Sequence, residues 1–109
     1  MTDRTTISVN YEKMISLAQR ITDIAGRLNN INRVEFEEVI EALRTSWEGE
    51  NAELFFTKSM NWQERTDNVK ERLLAVANMI REGAEQYKAA EMAAIALLEQ
   101  SSGGTATPT

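Results

Sequence analysis

The hydrophobic residues in the second half of the chain recur in alternating steps of four and three, and this spacing constrains the fold most strongly. Such a repeat places a continuous stripe along one face of an α-helix, whereas a β-strand needs alternation at every second residue. The stripe occupies Phe55, Ser59, Trp62, Thr66, Val69, Leu73, Val76, Ile80, Gly83, Tyr87, Ala90, Ala94 and Leu97. We therefore predict one long helix over residues 51–99.

A similar stripe runs through the first half of the chain, with one interruption. Its first part consists of Met14, Leu17, Ile21, Ile24, Leu28 and Ile31. Its second part, about one residue out of phase, consists of Phe36, Ile40, Leu43 and Trp47. The shift follows a cluster of asparagines, which have middling helix propensity. We expect a continuous helix over residues 10–46, capped by Asn10, with a local change in winding rather than a loop.

The two predicted helices are separated by a short turn at residues 47–50. Gly49 can adopt the left-handed conformation that ends a helix, and Asn51 can cap the next one. The only proline is Pro108, so little else interrupts a helix. Short turns make consecutive helices antiparallel neighbours. The sequence thus predicts an all-α fold, a helix-turn-helix hairpin of two long antiparallel helices, between a short polar lead (residues 1–9) and a flexible tail (residues 100–109).

The hydrophobic stripes are wider than one pair of helices can cover. Phe56, Leu74 and Met79 extend the stripe of the second helix beyond the strict repeat. A stripe of this width suits a bundle of four helices, so we predict that two hairpins dimerise, antiparallel, into a four-helix bundle. The predicted dimer core consists of Leu17, Ile21, Ile24, Leu28, Phe55, Trp62, Val69, Leu73, Val76 and Ile80.

The composition argues against an enzyme. The chain has no cysteine and no histidine, which removes thiol nucleophiles, the usual general base and Cys/His metal sites. The carboxylates that recur at helical spacing, Glu37 with Glu41 and Asp67 with Glu71, are interpreted as a solvated, mildly repulsive surface. We therefore predict no catalytic residue, no cofactor and no metal.

Charge and hydropathy exclude two further classes of partner. The net charge is −5, which makes nucleic acid an improbable ligand. The longest mostly apolar run, residues 92–98, is far shorter than the about 20 residues of a membrane span, so we expect no stable membrane insertion. Residues 1–10 contain no apolar core of a secretory signal peptide, so export would need another route.

Two short motifs bear on function. Trp47-Glu48-Gly49 lies in the predicted turn, and Tyr87-Lys88-Ala89-Ala90-Glu91 lies late in the second helix. Taken separately, each has an ordinary structural interpretation. The first is a tryptophan and a glycine that close a helix end, and the second is a core tyrosine with a solvated glutamate one turn later.

Together, the length, the two helices and the two motifs resemble the WXG family of small Esx-like proteins, the hundred-residue class that type VII secretion systems of Gram-positive bacteria export. The resemblance covers residues from about 8 to 99. It implies an antiparallel four-helix bundle of two hairpins, and a membrane-bound FtsK/SpoIIIE-type ATPase as the receptor. Trp47 and Gly49 correspond to the family's turn motif. Tyr87 and Glu91 correspond to its Tyr-x-x-x-Asp/Glu export signal, with Glu where many members have Asp.

The resemblance implies a secreted substrate, effector or carrier partner. Its partner is itself as a homodimer, or a related WXG protein as a heterodimer. In an antiparallel dimer, Trp47 of one chain lies near Tyr87 of the other, which makes a composite signal that exists only in the folded dimer. The alternative is a cytosolic structural or adaptor coiled-coil protein. A weaker hypothesis is membrane action after export through the apolar run at residues 92–98, but that run lacks the Lys/Arg-rich face that surface-bound helices usually carry.

Overall fold

The described part of the chain is entirely helical. A computed structural model describes the backbone of residues 4–106 and the side chains of residues 10–101. The segments are α1 (Arg4–Asn30), a π-helical segment (Ile31–Glu35), α2 (Phe36–Arg44) and α3 (Glu50–Ala106). Because α1, the π-helical segment and α2 follow one another without a break, they form one arm, and α3 forms the other. The predicted all-α class is confirmed, and no strand occurs between residues 4 and 106.

The helices extend further than the predicted bounds. α1 begins at Arg4 rather than at Asn10, which lies inside the helix and does not cap it. No proline or glycine precedes Asn10, so nothing in the sequence stops the helix from extending there. α3 continues to Ala106 rather than ending at residue 99. Residues 1–3 of the predicted lead and residues 107–109 of the predicted tail lie outside the described residues.

The π-helical segment is the predicted change in winding. Within it, the N–H of Phe36 donates to the carbonyl of Ile31, five residues earlier, whereas an α-helix joins residues four apart. The wider turn adds one residue to the arm. Consequently the buried positions Ala18, Ala25 and Asn32 are seven residues apart, but the next buried position, Ile40, follows after eight. The expectation of a continuous helix with a shifted stripe is therefore confirmed.

The chain divides into two units, of which the turn unit spans Arg20–Val76. In this unit the arms are antiparallel, because contacts join Asn29 to Lys70 far from the turn and Trp47 to Phe55 beside it. The side chains buried where the arms meet are mostly small or polar: Ala25, Asn32, Ile40, Ala52, Ser59, Gln63 and Thr66. We call this set the seam of the turn unit.

The terminal unit comprises Met1–Gln19 and Ala77–Thr109. Its arms are also antiparallel, since Asn10 contacts Tyr87 and Gln19 contacts Arg81. Its buried residues among the described side chains are alanines: Ala18, Ala77 and Ala84. Alanine allows two helices to approach closely, so the larger hydrophobic residues are displaced to the flanks. No helix in the described part of the chain is long and apolar enough to cross a lipid bilayer.

Candidate functional site

The turn begins after Arg44 and ends at Gly49. The last carbonyls of α2 are satisfied locally, because Leu43 accepts from the N–H of Trp47 at 2.8 Å. The carbonyl of Ala42 accepts from the hydroxyls of Thr45 and Ser46. Gly49 has a φ of +111°, which confirms the expected need for glycine. However, Gly49 precedes α3 rather than ending α2, and its carbonyl accepts the first bond of α3, from Glu53 at 3.0 Å. Asn51 therefore lies inside the helix and does not cap it.

Trp47 belongs to an aromatic cluster at the turn. Its ring centroid lies 5.5 Å from that of Phe55 and 6.3 Å from that of Phe56, in tilted and edge-on arrangements that aromatic pairs favour. The Arg44 guanidinium lies 5.0 Å from the Phe56 ring centroid. Trp47 nevertheless remains 37% exposed. The cluster holds the indole in place and leaves part of it available for contact.

The candidate signal residues Tyr87 and Glu91 lie one turn apart on α3 in the terminal unit, and both are half-buried. The Tyr87 hydroxyl accepts a hydrogen bond of 3.2 Å from Asn10 Nδ2 on α1. The tyrosine is thus held from the opposite arm of the terminal unit. Asn10 has this role in place of the predicted helix cap.

A second contact joins the arms beside the signal residues. The Tyr11 hydroxyl donates to Glu85, and Lys88 Nζ lies 4.4 Å from the Tyr11 ring centroid. The hydrogen bond to Glu85, with smaller contributions from burial and from the charge of Glu85, raises the pKa of the Tyr11 phenol above its ordinary value. Nothing in the sequence pattern marked Tyr11 as a partner of this segment.

None of the predicted dimer-core residues is among the buried side chains of the turn unit or of the terminal unit. Five of them, Leu17, Ile24, Trp62, Val69 and Val76, are between 42% and 46% exposed. The other five, Ile21, Leu28, Phe55, Leu73 and Ile80, are half-buried. Isolated exposed apolar residues are common, but a row at seven-residue spacing, such as Trp62, Val69 and Val76 within the turn unit, marks a surface that another helix can cover.

A polar network in the turn unit gives Asp67 and Glu37, interpreted from the sequence as part of a solvated and mildly repulsive surface, partners on the opposite arm. Asp67 accepts from Arg33 and from Asn32, the latter at 3.0 Å, and Glu37 accepts from Gln63 at 3.0 Å. The hydrogen bond from the Arg33 guanidinium lowers the pKa of the Asp67 carboxyl below its usual value. Spacing along one helix could not reveal these partners, because they lie on the other arm.

The fold and the turn define a class: small helical hairpins with Trp-x-Gly between the arms. A model of the family described as "WXG100: Proteins of 100 residues with WXG" matches residues 6–92. The chain therefore belongs to the WXG100 family, whose small members are associated with type VII secretion. No curated protein and no solved structure gives a significant match to the chain.

Proposed function

We propose that this chain is a substrate of a type VII secretion system, exported as a folded dimer. The family membership supports the secretion route. The observation that carries the dimer is the exposed flank of the turn unit, where large apolar residues remain uncovered beside a seam of mostly small or polar ones. Burying apolar surface at about 25 cal/mol per Å² would favour a second helical pair on this flank.

In this proposal Tyr87 and Glu91 form the export signal, and the Trp-x-Gly turn of the partner subunit, the counterpart of Trp47 and Gly49 in this chain, completes it. The signal residues project from one side of a continuous helix, and Asn10 restrains the tyrosine. An aromatic ring and a carboxylate on a rigid helix can anchor in a receptor pocket. The proposed receptor is the FtsK/SpoIIIE-type ATPase of the secretion machine. The proposed role is non-enzymatic, and the protein functions outside the cell as an effector or as a carrier partner.

The test is secretion from a strain with an intact type VII system, compared with a strain that lacks the ATPase. Wild type should reach the culture supernatant only in the first strain. Tyr87→Ala and Glu91→Ala should accumulate in the cells with unchanged helicity, and Glu91→Asp should be exported. Glu82→Ala, an exposed glutamate on the same helix, is the matched control and should be exported normally.

Two results would contradict the proposal. Normal secretion of both alanine variants would show that these residues are not the signal. Retention of the wild type inside cells with a working ATPase would favour the cytosolic adaptor instead.

A further inference from the structure

The exposed flank of the turn unit carries two apolar rows. On the first arm, Ile24 and Ile31 are 44% and 48% exposed, and on α3 the row is formed by Trp62, Val69 and Val76. Viewed along each arm from its N-terminus to its C-terminus, the row is rotated away from the seam in the same sense in both arms. Because the arms are antiparallel, the two rows face the same side of the pair. The rings of Phe36 and Trp62, 4.9 Å apart, join the two arms on this side. We call this surface the apolar face.

Cationic residues border the apolar face along both arms. On α1, Arg20 and Arg27 lie four residues before and three after Ile24, and the three residues line one shallow depression together with Asp23. On α3, Lys58, Arg65 and Arg72 lie four residues before Trp62, Val69 and Val76, respectively. All five cationic side chains are exposed. The α3 edge of the apolar face therefore carries cations alone, whereas on the first arm the exposed carboxylates of Asp23 and Glu35 lie beside the two arginines.

These five differ from the other cations of the turn unit. The unit has eight Lys and Arg residues and eleven Asp and Glu residues, so its net charge is negative. Arg33, Arg44 and Lys70 pair with carboxylates. The five border cations form no ion pair with any side chain between residues 10 and 101. An acidic unit thus presents its unpaired positive charge around its exposed apolar surface.

We propose that the partner covering this face is a different helical protein whose own apolar face is bordered by Glu and Asp, rather than a second copy of this chain. This inference rests on the proposed function, which requires a partner, and adds the chemical character of that partner. Two copies can stack with α1 over α1 or with α1 over α3. Stacking α1 over α1 also stacks α3 over α3 and brings its cations against cations, which disfavours that pairing. Stacking α1 over α3 sets the three cations of α3 against an edge whose arginines are offset by Asp23 and Glu35, so a second copy gives the α3 cations few partners. An acid-edged partner forms ion pairs along both edges.

The inference can be tested with the full-length chain and a designed acid-edged version of it. This variant carries Arg20→Glu, Arg27→Glu, Arg65→Glu and Arg72→Glu, all at exposed positions. Sedimentation velocity would measure self-association of each protein and association of the equimolar mixture. At low salt the dissociation constant of the mixed pair should be at least about tenfold lower than that of either self-pair. Near 1 M salt, where the screening length is about 3 Å, that advantage should largely disappear.

The control variant carries Glu38→Lys and Glu64→Lys, exposed charge reversals away from the apolar face. Mixed with wild type, it should show no preference over self-pairing. A wild-type dimer that is tight, insensitive to salt and not surpassed by the mixed pair would overturn the inference and leave the proposed export of a dimer intact. Absence of any pairing between wild type and the acid-edged variant, with both proteins helical, would also overturn it. Failure of the export signal is measured separately, in the secretion assay.

Discussion

Asn32 and Gln63 each donate a side-chain hydrogen bond to the other's main-chain carbonyl, at 3.0 and 3.1 Å, across the two arms of the turn unit. Both side chains are buried, and Asn32 lies inside the π-helical segment. The reciprocal bonds connect the point at which the first arm changes its winding to a fixed position on α3. Because an amide buried without partners is costly, a shifted pairing of the arms is disfavoured.

Asn32→Ala should lower the free energy of unfolding by about 1–3 kcal/mol, because it removes two buried donors and leaves their acceptors without them. Urea denaturation at one fixed protein concentration measures the effect, since association would alter the apparent stability. Asn61→Ala, at an exposed position on α3, should change the value by less than about 0.5 kcal/mol. Equal midpoints for the two variants would contradict a stabilising role of the buried amide.

Gly49→Ala and Gly26→Ala should have opposite effects. At Gly49 the φ of +111° forces any side chain into a strained backbone, so we expect a loss of about 1–3 kcal/mol. Gly26 lies within α1, and a Cβ added there meets nothing within 4 Å, so alanine should add about 0.5–1 kcal/mol. Thermal unfolding of both variants would measure the two changes. A stable Gly49→Ala protein would mean that the turn can adopt another conformation.

Asp67→Asn should remove a pH-dependent part of the stability. The hydrogen bond from Arg33 lowers the pKa of Asp67 in the folded chain below its value of 3.8 in the unfolded chain. The ionised carboxylate therefore stabilises the fold above about pH 4, and this contribution is lost as the pH falls through the lower, folded-state pKa. Urea midpoints of wild type and variant should be measured between pH 2 and 6. The two midpoints should differ near pH 6 and converge near pH 2. Asn61→Ala, an exposed control without a titratable side chain, should run parallel to wild type throughout.

Tyr11 should titrate at a higher pH than a free tyrosine. The chain has two tyrosines, so Tyr87→Phe leaves Tyr11 as the only phenol that an absorbance titration can follow. Its midpoint should lie above 10.0, because the neutral hydroxyl donates to Glu85. Adding Glu85→Gln should bring the midpoint back toward 10.0, provided that circular dichroism shows an intact helix. An unchanged midpoint would place the cause of the raised pKa elsewhere.

The two arms, the turn and the change of winding could be anticipated because they follow from local features of the chain. A repeat of four and three residues requires a helix, and Gly49 supplies a backbone conformation that other residues resist. An insertion of one position in the stripe requires one wider turn. The motif residues at the turn and late in α3 were also recognisable, since their spacing lies within a single element.

The seam could not be anticipated in the same way. Ala25 and Ile24 are neighbours on one helix, and the periodicity of either row is compatible with packing against the other arm. The alanine row packs between the arms because its small side chains let the arms approach closely. This close approach leaves no room for the row of large apolar side chains, which lies on the flank instead. Which residues of the other arm then meet Asn32, Arg33 and Asn10 depends on how the arms align across the turn. That alignment depends on how the two arms pack in three dimensions, and the periodicity of residues along either arm does not determine it.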